Sequence, residues 1–325
     1  MMMFVMGCDN GHSLQKHLQE YQDRMAKVLD VEGPDRLTIS LPPYPARRDL
    51  KQNIPATSIK LFEFYHLKHC ELYSLVAERN TSLGNLQLPS IRYIYERHLI
   101  DALQQCLRDT SDAKLREKLQ SWKQTKDQQL PMVWADLIQL SGELKQGFSA
   151  NFGLVAGNER DALMQSKDTL DFLIHINQNK QVSSAELEQH LKSLMNNPLP
   201  AKLWLSQLTV SEYLNRSTLW LRQHAEDLQC SGTRSKKKIE YLTNVFQQFF
   251  IKKIQPIASQ MNHYQYQLGP IFKKLSTHPD LSPSFKEYIK QFNQQGFENY
   301  QAALQQHIQF WQVLFKRCNI QPGKP

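Results

Sequence analysis

The stretch SLQKHLQEYQDRMAKVLD, residues 13–30, decides the fold class. Leu14, Leu18, Tyr21, Met25, Val28 and Leu29 recur at spacings of three and four, which gathers them on one face of an α-helix. Polar residues fill the positions between, so the segment predicts an amphipathic helix with a buried stripe. The same periodicity returns along most of the chain, and no segment shows sustained period-two alternation. The chain therefore reads as all-α: an elongated multi-helix bundle of about ten helices with a Pro-rich extended N-terminal linker.

That linker is Gly33 to Pro55, where Pro34, Pro42, Pro43, Pro45 and Pro55 block helix propagation. It is expected to lie across the helices. The next helix is predicted over about Ser58 to Leu83, with Leu61, Phe64, Tyr65, Leu72, Leu75 and Val76 on one face and Phe62, His66, Cys70 and Tyr73 on the other. A helix apolar on both sides is usually central. Gly84 can cap it, and Pro89 with Ser90 opens a helix to about Asp109. Helices also fit Asp112 to Gln129, Pro131 to Phe148 and Asn158 to Asn177, and Ser183 with Glu186 forms a capping box that starts another, to about Asn196.

Beyond Pro198 and Pro200 the periodicity resumes through Trp204, Leu208, Leu214 and Trp220 to Leu228. A long helical segment follows the turn at Cys230 to Ser235 and runs to about Ser276, with a kink expected at Pro256 and a kink or break at Gly269-Pro270. The last pair is Pro283 to Gln295 and Glu298 to Cys318. The division with most support falls at Asn196 to Pro200, giving an N-terminal helical part, 8–197, and a basic C-terminal part, 198–325. One continuous domain, 8–325, is the alternative.

The 325 residues suffice for one large core or two modest ones, and a hydrophobic content of 41% with 10% aromatics excludes a disordered chain. No run of 18 apolar residues follows the N-terminus, so no transmembrane helix is expected there. Net charge is +8, and residues 231–325 hold thirteen Lys/Arg against four Asp/Glu, so the whole excess lies in the last third. A basic face suits anionic partners: phospholipid headgroups, lipopolysaccharide, acidic proteins or nucleic acid. The plain alternative is a solvated surface.

Val5-Met6-Gly7-Cys8-Asp9 has the form of a bacterial lipoprotein start, a small residue before a near-terminal Cys. Only Met1 to Met6 precede Gly7, without Lys or Arg and without the apolar core of an export signal, so residues 1–7 are expected to be the remnant of a signal peptide whose true start lies upstream. If Cys8 is acylated, Cys70, Cys106, Cys230 and Cys318 remain, the even number that two disulfides need in an oxidising compartment.

The axial levels of Cys70 and Cys106 on consecutive antiparallel helices differ by ~4.5 Å if the first helix ends near Leu83, which makes a bridge feasible. If that helix ends at Asn80 the mismatch grows to about 9 Å and the pairing is poor. Cys230 in a turn and Cys318 at the end of the last helix could pin the C-terminus to the body. Four free, buried thiols acting as small apolar side chains remain the alternative.

Familiar catalytic patterns are missing: there is no Gly-x-Ser-x-Gly, His-Glu-x-x-His, Gly-x-Gly-x-x-Gly or phosphate-binding loop. No catalytic residue and no cofactor is assigned. His66, His69 and Cys70 share helical spacing, but no second ligand cluster accompanies them, so no metal is expected. Ser235 and Lys238 match Ser-x-x-Lys only because three lysines adjoin. Glu78, Arg79 and Asn80, in a polar run that continues through Thr81 and Ser82, form either a ligand-contact corner or a helix end whose side chains satisfy its carbonyls. Arg234, Lys236, Lys237 and Lys238 beside Tyr241, Phe246, Phe249 and Phe250 have the character of a nucleic-acid platform, but aromatics at helical spacing are more often core, and an exported protein would seldom meet nucleic acid.

Taken together, Pro43-Tyr44-Pro45 with Arg47, Arg48, Asp49 and Leu50, the run Val76-Ala77-Glu78-Arg79-Asn80 followed by Thr81, Ser82, Leu83 and Gly84, Val245-Phe246 through Gln255-Pro256, and His307, Trp311 and Cys318 resemble a family of bacterial lipoproteins described only as a domain of unknown function, DUF3080. The resemblance spans nearly the whole chain from Cys8. It implies lipid attachment at Cys8 and paired cysteines at the positions above, and carries no activity. The expectation is a lipid-anchored periplasmic binding or scaffold module, with Asp9 favouring the inner membrane and the basic C-terminal face meeting an anionic partner. The competing readings are an enzyme with a site near Glu78, Arg79 and Asn80, and a cytosolic nucleic-acid-binding protein.

Overall fold

The computed structural model describes residues 13–79, 88–149, 153–178, 182–225 and 228–320; Cys8, Asp9 and Asn80 lie outside them. Among the described residues all regular structure is helical. Helix α1, Ser13–Leu29, follows the stripe read from its sequence, with Leu14, Leu18, Tyr21, Met25 and Leu29 buried. Asp30 ends it in the left-handed region at φ 61°. The Lys238 ammonium donates to the Leu29 carbonyl at 2.9 Å. This satisfies one of the orphan acceptors at the helix end and places a cation at the negative end of its dipole.

Short helices α2, Arg47–Leu50, α3, Leu61–Tyr65, and α4, Leu72–Arg79, come next, then α5, Pro89–Asp109, α6, Ala113–Leu140, and α7, Gly142–Ser149. Helix α8, Arg160–His175, precedes α9, Ser184–Asn196, whose N-cap Ser183 accepts from the Glu186 amide as its capping pattern predicts. Helix α10, Leu199–Ala225, leads to α11, Thr233–Val245, α12, Gln255–Thr277, α13, Pro283–Lys290, and α14, Phe297–Arg317.

The predicted continuous helix over Ser58 to Leu83 is not formed. Residues 66–71 are turn, and Leu61, Phe62 and Tyr65 of α3 are 70, 75 and 50% exposed. Lys60, Glu63, Lys68 and Glu71 recur through the segment, so no rotation of a single helix could bury both apolar faces without burying charge. Breaking the helix solves this. Leu67 and Leu72 both become buried, Phe64 stacks on Tyr73 with centroids 4.4 Å apart, and Cys70 reaches Cys106.

The central helix is α10 instead. Leu203, Trp204, Leu205, Val210, Tyr213, Leu214, Trp220 and Leu221 are buried, and it packs on α1, α7, α8, α12 and α14. Ser206, Thr209, Ser217 and Thr218 can be buried among them because each hydroxyl donates to the carbonyl four residues earlier.

One proline expected to break a helix does not, and at Pro270, where a kink or break is expected, the helix is not broken. Helix α6 runs through Pro131, and the break falls at Ser141. The lost backbone bond costs about 3 kcal/mol. It is offset by the burial of Val133, Trp134, Leu137 and Ile138 in the next two turns. Helix α12 likewise contains Pro270. At Pro256 the chain widens into a π-helical segment, Phe246–Ile254, which joins α11 to α12 without interruption; a second, Gln291–Gly296, joins α13 to α14. A π turn relieves the clash between a proline ring and the preceding turn.

The main core runs from Leu14 to Phe315 and draws on helices from both sides of Pro198. Leu41 and Leu50 of the Pro-rich segment enter it. A satellite core holds Leu67, Leu72, Tyr95, Leu99, Ala102, Leu103, Cys106 and Leu119. Disulfides join Cys70 to Cys106 and Cys230 to Cys318, with Cα atoms 5.5 and 5.1 Å apart. Where α7 crosses α9, a Cβ on Gly147 would stand 2.7 Å from Leu194 Cγ. Gly147→Ala is therefore expected to cost about 1–2 kcal/mol net of its helix-propensity gain, read as a lowered denaturation midpoint at constant m.

Candidate binding site

A cavity of about 500 Å³ lies between residues 54–59, α4, α5 and α6. That is within the roughly 300–1,000 Å³ of ligand sites. Helix α5 supplies Arg92, Tyr95, Glu96, Leu99 and Leu103, whose three- and four-residue spacing points them to one side. Helix α6 adds Trp122 and Lys126, and α4 adds Leu72, Val76 and Arg79. The remaining wall, Ile54 to Ile59, has no regular structure. It is fixed because the Gln129 side chain donates to the Pro55 carbonyl at 2.9 Å and the Gln52 amide donates to Asp136 at 2.8 Å.

Among the described residues the lining carries three cations and one carboxylate. Glu96 is paired with Lys126 at 3.0 Å, and both side chains are nearly buried. Arg92 stands 3.8 Å from Asp136, too far for a good hydrogen bond. Burial raises the Asp136 carboxyl above the usual range, while the Gln52 amide and Arg92 oppose that shift. Arg79 lies 5.8 Å from the centroid of the Tyr95 ring. Burial pushes the Tyr95 phenol up to about 12, so it stays neutral and donates to the Leu75 carbonyl. Two guanidinium atoms, Arg79 Nη1 and Arg92 Nε, are buried with no hydrogen-bond partner among the described residues.

Of the corner read from sequence, Arg79 lines this cavity, Glu78 is exposed and does not, and Asn80 is outside the described residues. Arg234, Lys236 and Lys237 are exposed on the first turns of α11, whereas Lys238 is held by Leu29. Phe246 and Phe250 are buried and form no surface platform; Phe246 stacks on Trp311 at 4.7 Å. The Cys70 sulfur is bonded to Cys106 and is unavailable to a metal, and among the described residues no three metal-ligating side chains converge.

Arg92, Glu96 and Lys126 were not singled out by sequence reasoning, because charges at these spacings look like any solvated helix face. The signal available was on α5, where Arg92 and Glu96 give way to Leu99 and Leu103 on one stripe.

A family model described as protein of unknown function, DUF3080, matches residues 18–322. The chain belongs to this family. No curated protein and no solved structure matches it. The DUF3080 match takes in the whole cavity lining and all four paired cysteines. Those two disulfides indicate an oxidising, extracytoplasmic compartment. Among the described residues no helix is long and apolar enough to cross a membrane.

Proposed function

We propose that this protein is a lipid-anchored periplasmic binding module whose ligand occupies the cavity between α4, α5 and α6. The observation that carries the reading is the pair of buried guanidinium atoms, Arg79 Nη1 and Arg92 Nε, that have no hydrogen-bond partner among the described residues. Each buried polar group left unpaired costs about 1–3 kcal/mol or more. A ligand acceptor in the cavity would remove that cost. Supporting the location are the disulfides and the Gly7-Cys8 pair, with two or more acyl chains on Cys8 needed for a stable anchor and Asp9 favouring the inner membrane. The exposed Arg234, Lys236 and Lys237 suit an anionic headgroup, lipopolysaccharide or acidic protein nearby. Binding is favoured over an enzyme built on Glu78 and Arg79 because Glu78 does not line the cavity.

Two measurements test this. Cys8→Ala should move the protein from the membrane pellet to the soluble periplasmic fraction; a variant that still sediments with membranes, or a wild-type chain found reduced in the cytosol, contradicts the anchoring. Arg79→Met should leave the unliganded protein as stable or raise its stability by about 1 kcal/mol, because a buried nitrogen without a hydrogen-bond partner among the described residues is removed. A loss of more than about 1 kcal/mol would assign Arg79 a structural role instead.

A further inference from the structure

The cavity is polarised along its length, and each of its helices repeats the same order. On α5, Arg92 and Glu96 at one end give way to Leu99 and Leu103. On α4, Arg79 is followed back along the helix by Val76 and Leu72, and on α6 Lys126 is followed back by Trp122. The levels agree: Lys126 meets Glu96, Tyr95 bonds the Leu75 carbonyl, and Cys70 is joined to Cys106. On the three helices the cations thus collect at one end and the apolar side chains at the other. From Arg92 to Leu103 the helix rises about 16 Å.

We infer that the cavity binds a single-chain anionic amphiphile, its carboxylate or phosphate head on Arg79 and Arg92 and its hydrocarbon chain along Leu99 and Leu103 toward Leu72 and Trp122. This rests on the reading of the cavity as a ligand site and adds the ligand's chemistry. A small inorganic anion would leave the apolar end without a partner. A neutral lipid would leave the two guanidinium atoms unpaired, and a cationic amphiphile would offer them no acceptor. Glu96 and Lys126 neutralise one another at 3.0 Å, which leaves Arg79 and Arg92 to meet the head. The head can then form charge-assisted hydrogen bonds, while each methylene buried adds roughly fourfold in affinity.

The test uses the full-length chain carrying Cys8→Ala with both disulfides intact. It is titrated calorimetrically with butanoate, octanoate and dodecanoate, with lysophosphatidylglycerol, with dodecanol and with inorganic phosphate, each below its aggregation threshold. Dodecanoate or lysophosphatidylglycerol is expected to bind at least about tenfold more tightly than octanoate and about tenfold more tightly than dodecanol. The preference between the two identifies the head as carboxylate or phosphate. Arg79→Gln and Arg92→Gln should each weaken the anionic amphiphile by about tenfold or more and leave dodecanol unchanged. Leu103→Gln should weaken both. Butanoate or phosphate binding as tightly as dodecanoate would overturn the amphiphile while leaving an anion site in place; equal affinity for dodecanol and dodecanoate would overturn the head assignment. No binding by any probe, with wild-type secondary structure retained, would overturn the ligand site as well.

Discussion

Replacing His307 with leucine is expected to lower the unfolding free energy by about 2–6 kcal/mol, because it leaves two buried donors without an acceptor. His307 is fully buried, between α1, α10 and the Phe246–Ile254 segment. Its Nε2 lies 2.8 Å from the Tyr21 hydroxyl and accepts from the Trp311 indole at 3.1 Å, and its Nδ1 lies 2.9 Å from the Thr218 hydroxyl. Thr218 gives its own hydrogen to the Leu214 carbonyl, so it must accept from Nδ1–H, which leaves Nε2 unprotonated as the acceptor for Tyr21 and Trp311. All ring valences are then satisfied in the neutral form. Adding Tyr21→Phe to His307→Leu removes one orphaned donor and should return about 1–3 kcal/mol; additive losses in the double variant would contradict the network.

The same site gives a pH dependence with a definite sign. Burial lowers the His307 pKa from the usual histidine value to about 3. The folded state therefore refuses a proton that the unfolded state takes up below about 6.5. The stability associated with neutral His307 is complete above about pH 6.5 and is lost as pH falls toward 3. At pH 4.5 the loss is about 2.7 kcal/mol, two pH units at 1.36 kcal/mol each. Burial lowers His17, His190 and His278 too, so wild-type acid sensitivity has several sources. The difference between wild type and a non-titrating His307→Gln variant isolates this one. Parallel stability curves between pH 7 and 4.5 would rule out a neutral His307.

Removing the Cys230–Cys318 bridge, by replacing both residues with alanine, is the second large effect. Loop closure over the 88-residue separation is worth up to about 4.6 kcal/mol in the chain-entropy account. The bridge ties the turn after α10 to the end of α14, where Arg317 also donates to the Ala225 and Leu228 carbonyls. Those bonds remain in the variant, so the unfolding free energy should fall without loss of helix content. The Cys70–Cys106 bridge closes a shorter loop, worth up to about 3.8 kcal/mol, but it staples the small satellite core that also walls the cavity. Its loss should open the cavity region before the main core. Alkylation without reductant, followed by mass measurement, should leave all four cysteines unmodified; four labelled thiols would exclude both bridges.

How much of this was legible in the sequence depended on whether one helix or several decided the outcome. The stripe of α1 is local, and Leu14, Leu18, Tyr21 and Met25 are buried as their spacing predicts. The Cys70–Cys106 pairing forms, but not through the helix levels that made it feasible in the sequence, because Cys70 lies in the turn between α3 and α4. The segment from Ser58 to Leu83 could not be read this way, because its pattern is apolar on two faces and only its neighbours determine which residues turn inward. Pro131 was misleading for a related reason: the local cost is real, and burial around Trp134 outweighs it. The cavity was least legible. Its charges come from three helices, and on any one of them Arg92, Lys126 or Arg79 looks like an ordinary surface residue.

The position of α1 also bears on the order in which the chain can fold. Its buried face meets Tyr213, Ser217 and His307, between 191 and 286 residues later in the chain. A chain delivered N-terminus first would present the apolar stripe of α1 long before α10 and α14 arrive to cover it. Closure of the main core must therefore await the last helix, and pairings so distant in sequence form slowly. Until then α1 is the helix most in need of shelter.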